Sequence, residues 1–325
     1  MDSLLKWRYT KQFTIVGQSN AGTNYQVLIF VYYGSGTNYL NDVYLNGKCR
    51  SDFGDIRFTD ANGNLLNYWL QGYVASESAV FWVKITDDLS SGNTMNAIMW
   101  YGNPEATTTS NGVNTFIFFD DFTNQRCNWT WSNLVRESFG GKYVLAQIAD
   151  NSDAIVTLPS TISNFGMEFR YYIVSIGNYG PRAGIRFIEK DSIRFYELTN
   201  EIGRSYYNYW TSYYDGSRYY MVTWSVYNNS YSIGVWYWNF FHMLNSGINC
   251  TLGDSPQMGG YDPSIQSFDR IGFRTWDTGN KFYIDWMAIR KYVYPPPYIA
   301  NWVTYFPLRL RRQYGIYPRN IRVTK

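Results

Sequence analysis

The residues of this chain whose types could do chemistry are a few scattered carboxylates, one histidine and a dense set of aromatic side chains. Asp120 and Asp121 end the run TFIFFD and begin DF within Thr115–Phe122. Paired carboxylates can share a catalytic proton or bind calcium. Successive side chains of a strand, however, point to opposite faces. One aspartate is therefore expected to hold loop amides and the other to meet solvent, a structural role. In DIRFTD, alternation puts Asp55 and Arg57 on one strand face, where an ion pair across the sheet is expected. Asp285, flanked by aromatics in YIDW, is expected to be buried against a hydrogen-bond partner. A glycoside hydrolase needs two carboxylates at a fixed separation. Here Glu168 stands alone in its strand, Glu189 and Asp191 fall in a turn, and no E-x-D-x-E run occurs.

The single histidine, His242, excludes a multi-histidine zinc site and leaves little material for a nucleophile–histidine pair. No glycine loop has the spacing that cradles phosphate. What remains is the chemistry of contact. YYNYWTSYYDGSRYY (206–220) and VWYWNFF (235–241) carry more aromatic surface than a core requires. Aromatic faces beside polar groups suit sugar rings and protein partners. The candidate ligand-binding residues are Tyr206, Tyr207, Tyr209, Trp210, Tyr213, Tyr214, Trp236 and Trp238. No catalytic residue or cofactor is expected; calcium binding stays open as an alternative, although no acidic loop cluster stands out.

The elements that must position these residues are strands. Short β-type runs occupy residues 4–16, YQVLIFVYY, DIRFTD, LLNYWL, VFWVKI and MNAIMWYG. The polar stretch GSGTNYLNDVYLNGKC reads as a loop and ANGN as a hairpin-type turn. From Phe116 the runs lengthen: YVLAQI, AIVTLP, FGMEFRYYIV, AGIRFIE, SIRFYELT, YYMVTWSVY, YSIGVWYW, FDRIGFRTW and KFYIDWMAIRKY. No helical period persists and no fixed repeat is visible. The expectation is an all-β protein: a sandwich over 1–115, a larger antiparallel jelly roll over 116–293, and an extended tail over 294–325.

The composition agrees. Of 325 residues, 20% are aromatic and only 16% charged, which favours pleated, half-buried surfaces over disorder. The net charge of +3 is uneven. The tail holds Arg309, Arg311, Arg312, Arg319, Arg322 and Lys325 with no acid, so the remainder is mildly acidic. After the stiff Pro295–Pro297 spacer, these arginines are expected to anchor the chain to a neighbouring subunit rather than to read nucleic acid. Cys127 and Cys250 fall in one block and could bridge, or all three cysteines could be buried thiols. MDSLLKWRYT lacks the apolar core of a secretory leader, and no run is long enough to cross a bilayer.

DIRFTDANGNLLNYWL (55–70), VFWVKI (80–85), MWYGNPEA (99–106) and FFDDF (118–122) together resemble an uncharacterised domain of archaeal and bacterial surface proteins, domain of unknown function 2341, over about residues 5–122. Members commonly continue into a concanavalin-A-like, laminin-G-like jelly roll, which residues 116–293 resemble. The resemblance implies this architecture and a surface setting, and no activity. The expected function is a non-enzymatic display or adhesion protein, bound to other subunits and to glycans. A virion spike, fibre or decoration protein of an archaeal virus is favoured by the missing leader. An exported archaeal adhesin or filament subunit is the first alternative, and a polysaccharide-cleaving jelly roll the second.

Overall fold

The computed structural model describes residues 4–123, 127–149, 152–175, 182–189, 195–202, 207–214, 216–227, 232–244, 247–252, 258–261, 267–276 and 281–305. The chain forms two compact units, Met1–Thr115 with Pro295–Lys325, and Phe116–Tyr294. Both are antiparallel β-sandwiches in tandem, the second of concanavalin-A-like jelly-roll type. Among the described residues, the only helical turns are Leu4–Lys6 and Gly112–Thr115.

The first unit contains β1 (Tyr9–Val16), β2 (Tyr25–Tyr32), β3 (Asp42–Tyr44), β4 (Arg57–Asp60), β5 (Tyr68–Val74), β6 (Ser78–Ile85) and β7 (Thr94–Tyr101). Its last described strand comes from the far end of the chain, Tyr298–Tyr305. This C-terminal strand, β1, β7 and β4 form one sheet in that order; β3, β2, β6 and β5 form the other. Alternating residues fill the space between them. Phe13, Ile15, Ile29, Val31, Phe81, Val83 and Ile85 are fully buried. Phe58 lies edge-on to Phe13 at 6.4 Å and to Phe81 at 5.7 Å, joining the two layers.

One local expectation is corrected and one is met. The polar stretch read as a loop contains β3, which pairs in parallel with β2 through Phe30↔Asp42 to Tyr32↔Tyr44. The ANGN turn does form. Asp60 Oδ1 accepts the Asn62 and Asn64 amides at 2.9 and 2.8 Å, and Gly63 takes a left-handed φ of 88°. The turn is hairpin-type, with an antiparallel Thr59↔Leu65 bridge and the Leu66 amide donating to Phe58 O at 2.9 Å; beyond it the chain crosses from the sheet of β4 to that of β5.

The second unit runs through β8 (Phe118–Asp120), β9 (Thr130–Ser132), β10 (Leu134–Phe139), β11 (Lys142–Gln147), β12 (Asp153–Ile162), β13 (Phe165–Ser175), β14 (Arg182–Glu189) and β15 (Phe195–Ile202). It continues with β16 (Tyr207–Tyr214), β17 (Tyr219–Tyr227), β18 (Trp236–Leu244), β19 (Gly247–Leu252), β20 (Met258–Tyr261), β21 (Phe268–Trp276) and β22 (Lys281–Lys291). The strand Tyr298–Tyr305, which belongs to the first unit, is then β23. An eight-stranded sheet has the order β10-β11-β22-β13-β18-β19-β20, with β8 also pairing β22. A seven-stranded sheet has the order β17-β16-β15-β14-β21-β12-β9.

Strand β13 sets the polarity of the larger sheet. Its odd positions Phe165, Met167, Phe169, Tyr171 and Ile173 pack into the core with Phe282, Ile284, Met287 and Ile289 of β22 and Phe268, Ile271 and Phe273 of β21. Its even positions Gly166, Glu168, Arg170 and Tyr172 lie on the other face. The register pairs Arg170 with Trp286 and Tyr171 with Ile284, so Asp285 is the extra residue of a β-bulge. A bulge re-aims the side chain it inserts.

Candidate ligand-binding face of the larger sandwich

The even positions of β13 gather charged and aromatic partners from both neighbours. Opposite Gly166, Glu168, Arg170 and Tyr172, strand β18 presents His242, Phe240, Trp238 and Trp236. Strand β22 presents Arg290, Ala288, Trp286 and Tyr283 to the same four positions. The face therefore carries two guanidinium–carboxylate pairs set among rings.

At one end Asp285 is almost sealed, with 1% of its side chain exposed. Arg170 Nε donates to Oδ1 at 3.0 Å and Nη2 donates to Oδ2, a bidentate grip. Lys142 Nζ stands 3.7 Å from Oδ2 with half its side chain in solvent. Two cations thus converge on one anion. The Arg170 guanidinium also lies 4.6 Å from the centre of the Trp236 ring. Around it Tyr172 meets Trp236 at 5.2 Å and Phe139 at 5.0 Å, while Phe139 meets Tyr283 at 4.7 Å. Tyr172, Trp236 and Phe139 are only partly buried. This end is a half-open aromatic shelf with a fixed fork of hydrogen-bond donors beside it.

The other end is closed. Glu168 Oε1 lies 2.9 Å from both Nε and Nη2 of Arg290, and Oε2 accepts Trp238 Nε1 at 2.8 Å. Burial pushes the Glu168 carboxyl upward, against the pull of Arg290 and Trp238. Arg290 in turn lies 4.6 Å from the Phe240 ring and 5.2 Å from the Tyr292 ring. His242 stacks 4.5 Å from Tyr292 and 5.4 Å from Phe240. Its Nδ1 has no hydrogen-bond partner among the described residues. Burial first, and the nearby Arg290 charge second, lower its pKa from 6.5 to about 4.

The residues singled out from the sequence do not all meet. Tyr207, Tyr209, Trp210, Tyr213 and Tyr214 lie on β16, between β15 and β17 of the seven-stranded sheet, whereas Trp236 and Trp238 lie on β18 of the eight-stranded sheet. The two aromatic runs thus lie on different sheets. Tyr214 donates to Gly216 O at 2.9 Å and stacks on Phe195. Tyr206, and the side chains of Tyr207, Tyr209, Trp210 and Tyr213, fall outside the described residues. So do Arg309, Arg311, Arg312, Arg319 and Arg322.

The expected face-sharing of Asp55 and Arg57 is corrected. Asp55 sits in the turn before β4 and accepts the Arg50, Gly102 and Asn103 amides at 3.0, 2.6 and 3.2 Å. Arg57 donates instead to the Gly54, Ile56 and Thr107 carbonyls and to Tyr68 OH. Each is satisfied by backbone and no salt bridge joins them. Asp120 is buried, accepting Phe122 N at 2.8 Å and Trp129 Nε1 at 2.9 Å, and burial raises its pKa. Asp121 is half-buried and accepts Thr123 N at 3.1 Å. Cys127 is half-buried, with its Sγ 3.9 Å from the Phe119 carbonyl, and the side chain of Cys250 lies outside the described residues. Among the described residues no group of three or more His, Cys, Asp or Glu could hold an ion, and no helix is long and apolar enough to cross a membrane.

Arg170, Tyr172, Phe139, Tyr283, Lys142 and Arg290 were not singled out from the sequence. The signal for part of the set was present in FGMEFRYYIV, where Glu168 and Arg170 alternate with apolar neighbours.

The architecture defines a class: a small β-sandwich followed by a concanavalin-type jelly roll. Residues 52–133 match the family described as domain of unknown function, DUF2341. No curated protein matches the chain. Among solved structures, it is similar to carbohydrate-binding module CBM66 from Bacillus subtilis, at 14% identity over 51% of this chain and 98% of that one, with a TM-score of 0.40. A β-glucanase of Bacillus licheniformis is similar at 11% identity over 54% and 98% of the two chains, TM-score 0.41. A Bacillus subtilis protein of unknown function with a galectin-like fold is similar at 9% identity over 54% and 96%, TM-score 0.43.

Proposed function

We propose that the second sandwich is a non-enzymatic carbohydrate-binding module of a surface-displayed protein, and that the shelf of Tyr172, Trp236 and Phe139 is where a sugar ring docks. The observation that supports this is the pairing of partly exposed rings with a rigid polar fork. Sugar C–H faces stack on aromatic rings, while hydroxyls need donors and acceptors held at fixed angles. Arg170, a quarter exposed, supplies donors through the guanidinium protons not taken by Asp285, which locks it in place before a ligand arrives. Lys142, at the rim, adds a positive charge that favours sugars bearing a carboxylate or sulfate.

The test is a glycan array probed with the full chain, followed by titration of the best binder against Trp236→Ala and Arg170→Gln. Each substitution is expected to weaken binding about tenfold or more, equivalent to about 1.4 kcal/mol. Thermal melts of both variants separate lost contact from lost fold. Retained affinity in both, with intact melts, removes this face from consideration.

The wider setting is part of the same proposal. The chain belongs to a surface assembly, a virion spike, fibre or decoration in our reading or an archaeal cell-surface filament in the alternative, with the arginine-rich end of the chain joining it to other subunits. The support is the basic, acid-free run after β23. Loss of incorporation into purified particles when Arg309, Arg311 and Arg312 become Gln, with folding intact, is the expected result.

A further inference from the structure

The first sandwich is completed by a strand that the chain delivers only after building the second. β23 pairs antiparallel with β1 from Thr10↔Tyr305 to Val16↔Tyr298, with a register shift between Thr14 and Ile15. It is the edge strand of its sheet, and β1 lies between it and β7. The contact is not a loose surface contact. Ile299 is fully buried, the Trp302 ring sits 4.7 Å from that of Phe13, and Trp302 Nε1 donates to Leu40 O at 2.7 Å. Without β23, β1 would present a bare row of amides and carbonyls above Phe13 and Ile15, both now completely buried.

Two features bear on where that strand comes from. Three consecutive prolines, Pro295–Pro297, precede it directly. Proline fixes φ and keeps the segment extended, which resists a sharp turn back onto the same copy, and short hinge loops under strain invite exchange of an element between copies. In addition, the groove on β1 makes the same hydrogen bonds and the same Ile299 and Trp302 contacts whichever copy supplies the strand, because the residues are identical. The occupant that demonstrably fits this groove is β23 itself.

We propose that β23 is an exchangeable strand: in the assembled protein, residues 298–305 of one copy complete the first sandwich of a second copy. The proposal is independent of the glycan reading, since it uses the other sandwich.

The test uses two full-length variants that can be told apart by mass, Gln12→Cys and Val303→Cys. Gln12 and Val303 are direct partners in the β1–β23 register. The two are co-expressed, oxidised gently and mapped by peptide mass spectrometry. Exchange is expected to give a disulfide between the two introduced thiols, joining one copy of each variant, and a species of twice the 38.0 kDa chain mass on a non-reducing gel. Thr14→Cys with Asn301→Cys, partners in the same register, provides a second pair if one variant misfolds. A double variant of one chain that closes the disulfide only within itself, with no mixed product in the co-expression, overturns the proposal. Oligomers that form without either mixed disulfide also overturn it, because they would then assemble through another surface.

Discussion

His242 offers a measurement with a sign that can be worked out in advance. The imidazole is 6% exposed, lies against Tyr292 and Phe240, and has Arg290 as its charged neighbour, itself paired to Glu168. Folding therefore favours the neutral ring, and the pKa falls from 6.5 to about 4. A folded-state pKa below the unfolded one contributes stability that is fully present above pH 6.5 and is lost as the pH falls toward 4. At 1.36 kcal/mol per pH unit, that gap amounts to about 3 kcal/mol. Glu168 works the other way: its raised pKa means that acid protonates it more readily in the fold, which offsets part of the loss. The useful quantity is hence the difference between wild type and His242→Phe, which removes one term and keeps ring packing. Urea unfolding of the full chain between about pH 6.5 and 4 should show wild type losing about 3 kcal/mol more than the variant. Because the chain has one histidine, its ring proton resonance can be followed directly. A titration midpoint at or above about 6 would refute the burial argument, and so would parallel pH profiles for the two proteins.

Other expectations follow from the same geometry. Arg290→Met should destabilise the second sandwich by about 3–5 kcal/mol in urea, because it strands the buried Glu168 carboxylate; adding Glu168→Leu should recover much of that loss. Gly166→Ala should cost about 1–3 kcal/mol by thermal melt, since a Cβ there would lie 2.8 Å from Phe240 Cε2 and 3.2 Å from Arg290 Cζ. Asp55→Ala should destabilise the first sandwich by roughly 3 kcal/mol or more, as three backbone amides lose their acceptor; a loss under about 1 kcal/mol in urea would contradict the assigned role.

The strands of the second unit were legible because each carries its own alternation: FGMEFRYYIV and FDRIGFRTW read as strands from period alone, and both are strands in the structure. Sheet membership was not legible, because it depends on pairing between distant segments. The aromatic runs around Trp210 and Trp238, for example, fall on different sheets, which neither run's own pattern shows. DIRFTD reads as a strand from its first residue, yet Asp55 is drawn into the preceding turn by amides supplied from Arg50, Gly102 and Asn103. The bulge at Asp285 left no local trace either. KFYIDWMAIRKY looks like an uninterrupted run, and only the register against Arg170 and Tyr171 shows the inserted residue.

That bulge also bears on the choice between binding and bond cleavage. Glu168 and Asp285 share one face on neighbouring strands, and the proton affinity of Glu168 is raised. Those are two attributes of a glycosidase pair. The hydrolytic reading nevertheless requires each carboxyl to reach a glycosidic oxygen or a water. Asp285 is gripped by both arms of Arg170 and approached by Lys142, and Glu168 has one oxygen against Arg290 and the other against Trp238. Side-chain exposures of 1% and 2% leave no approach for a sugar without breaking a buried ion pair, which is strongly destabilising because it leaves a charge buried and uncompensated. Carboxylates so occupied stiffen the sheet and aim the guanidiniums, which favours the binding reading. Glu168→Gln and Asp285→Asn distinguish the two readings. In a binding module both should lower the melting temperature, while Arg170-dependent glycan affinity falls only for Asp285→Asn. A chain that cleaves polysaccharide in wild type and stops when Glu168 becomes Gln, with its melt unchanged, would establish the enzyme instead.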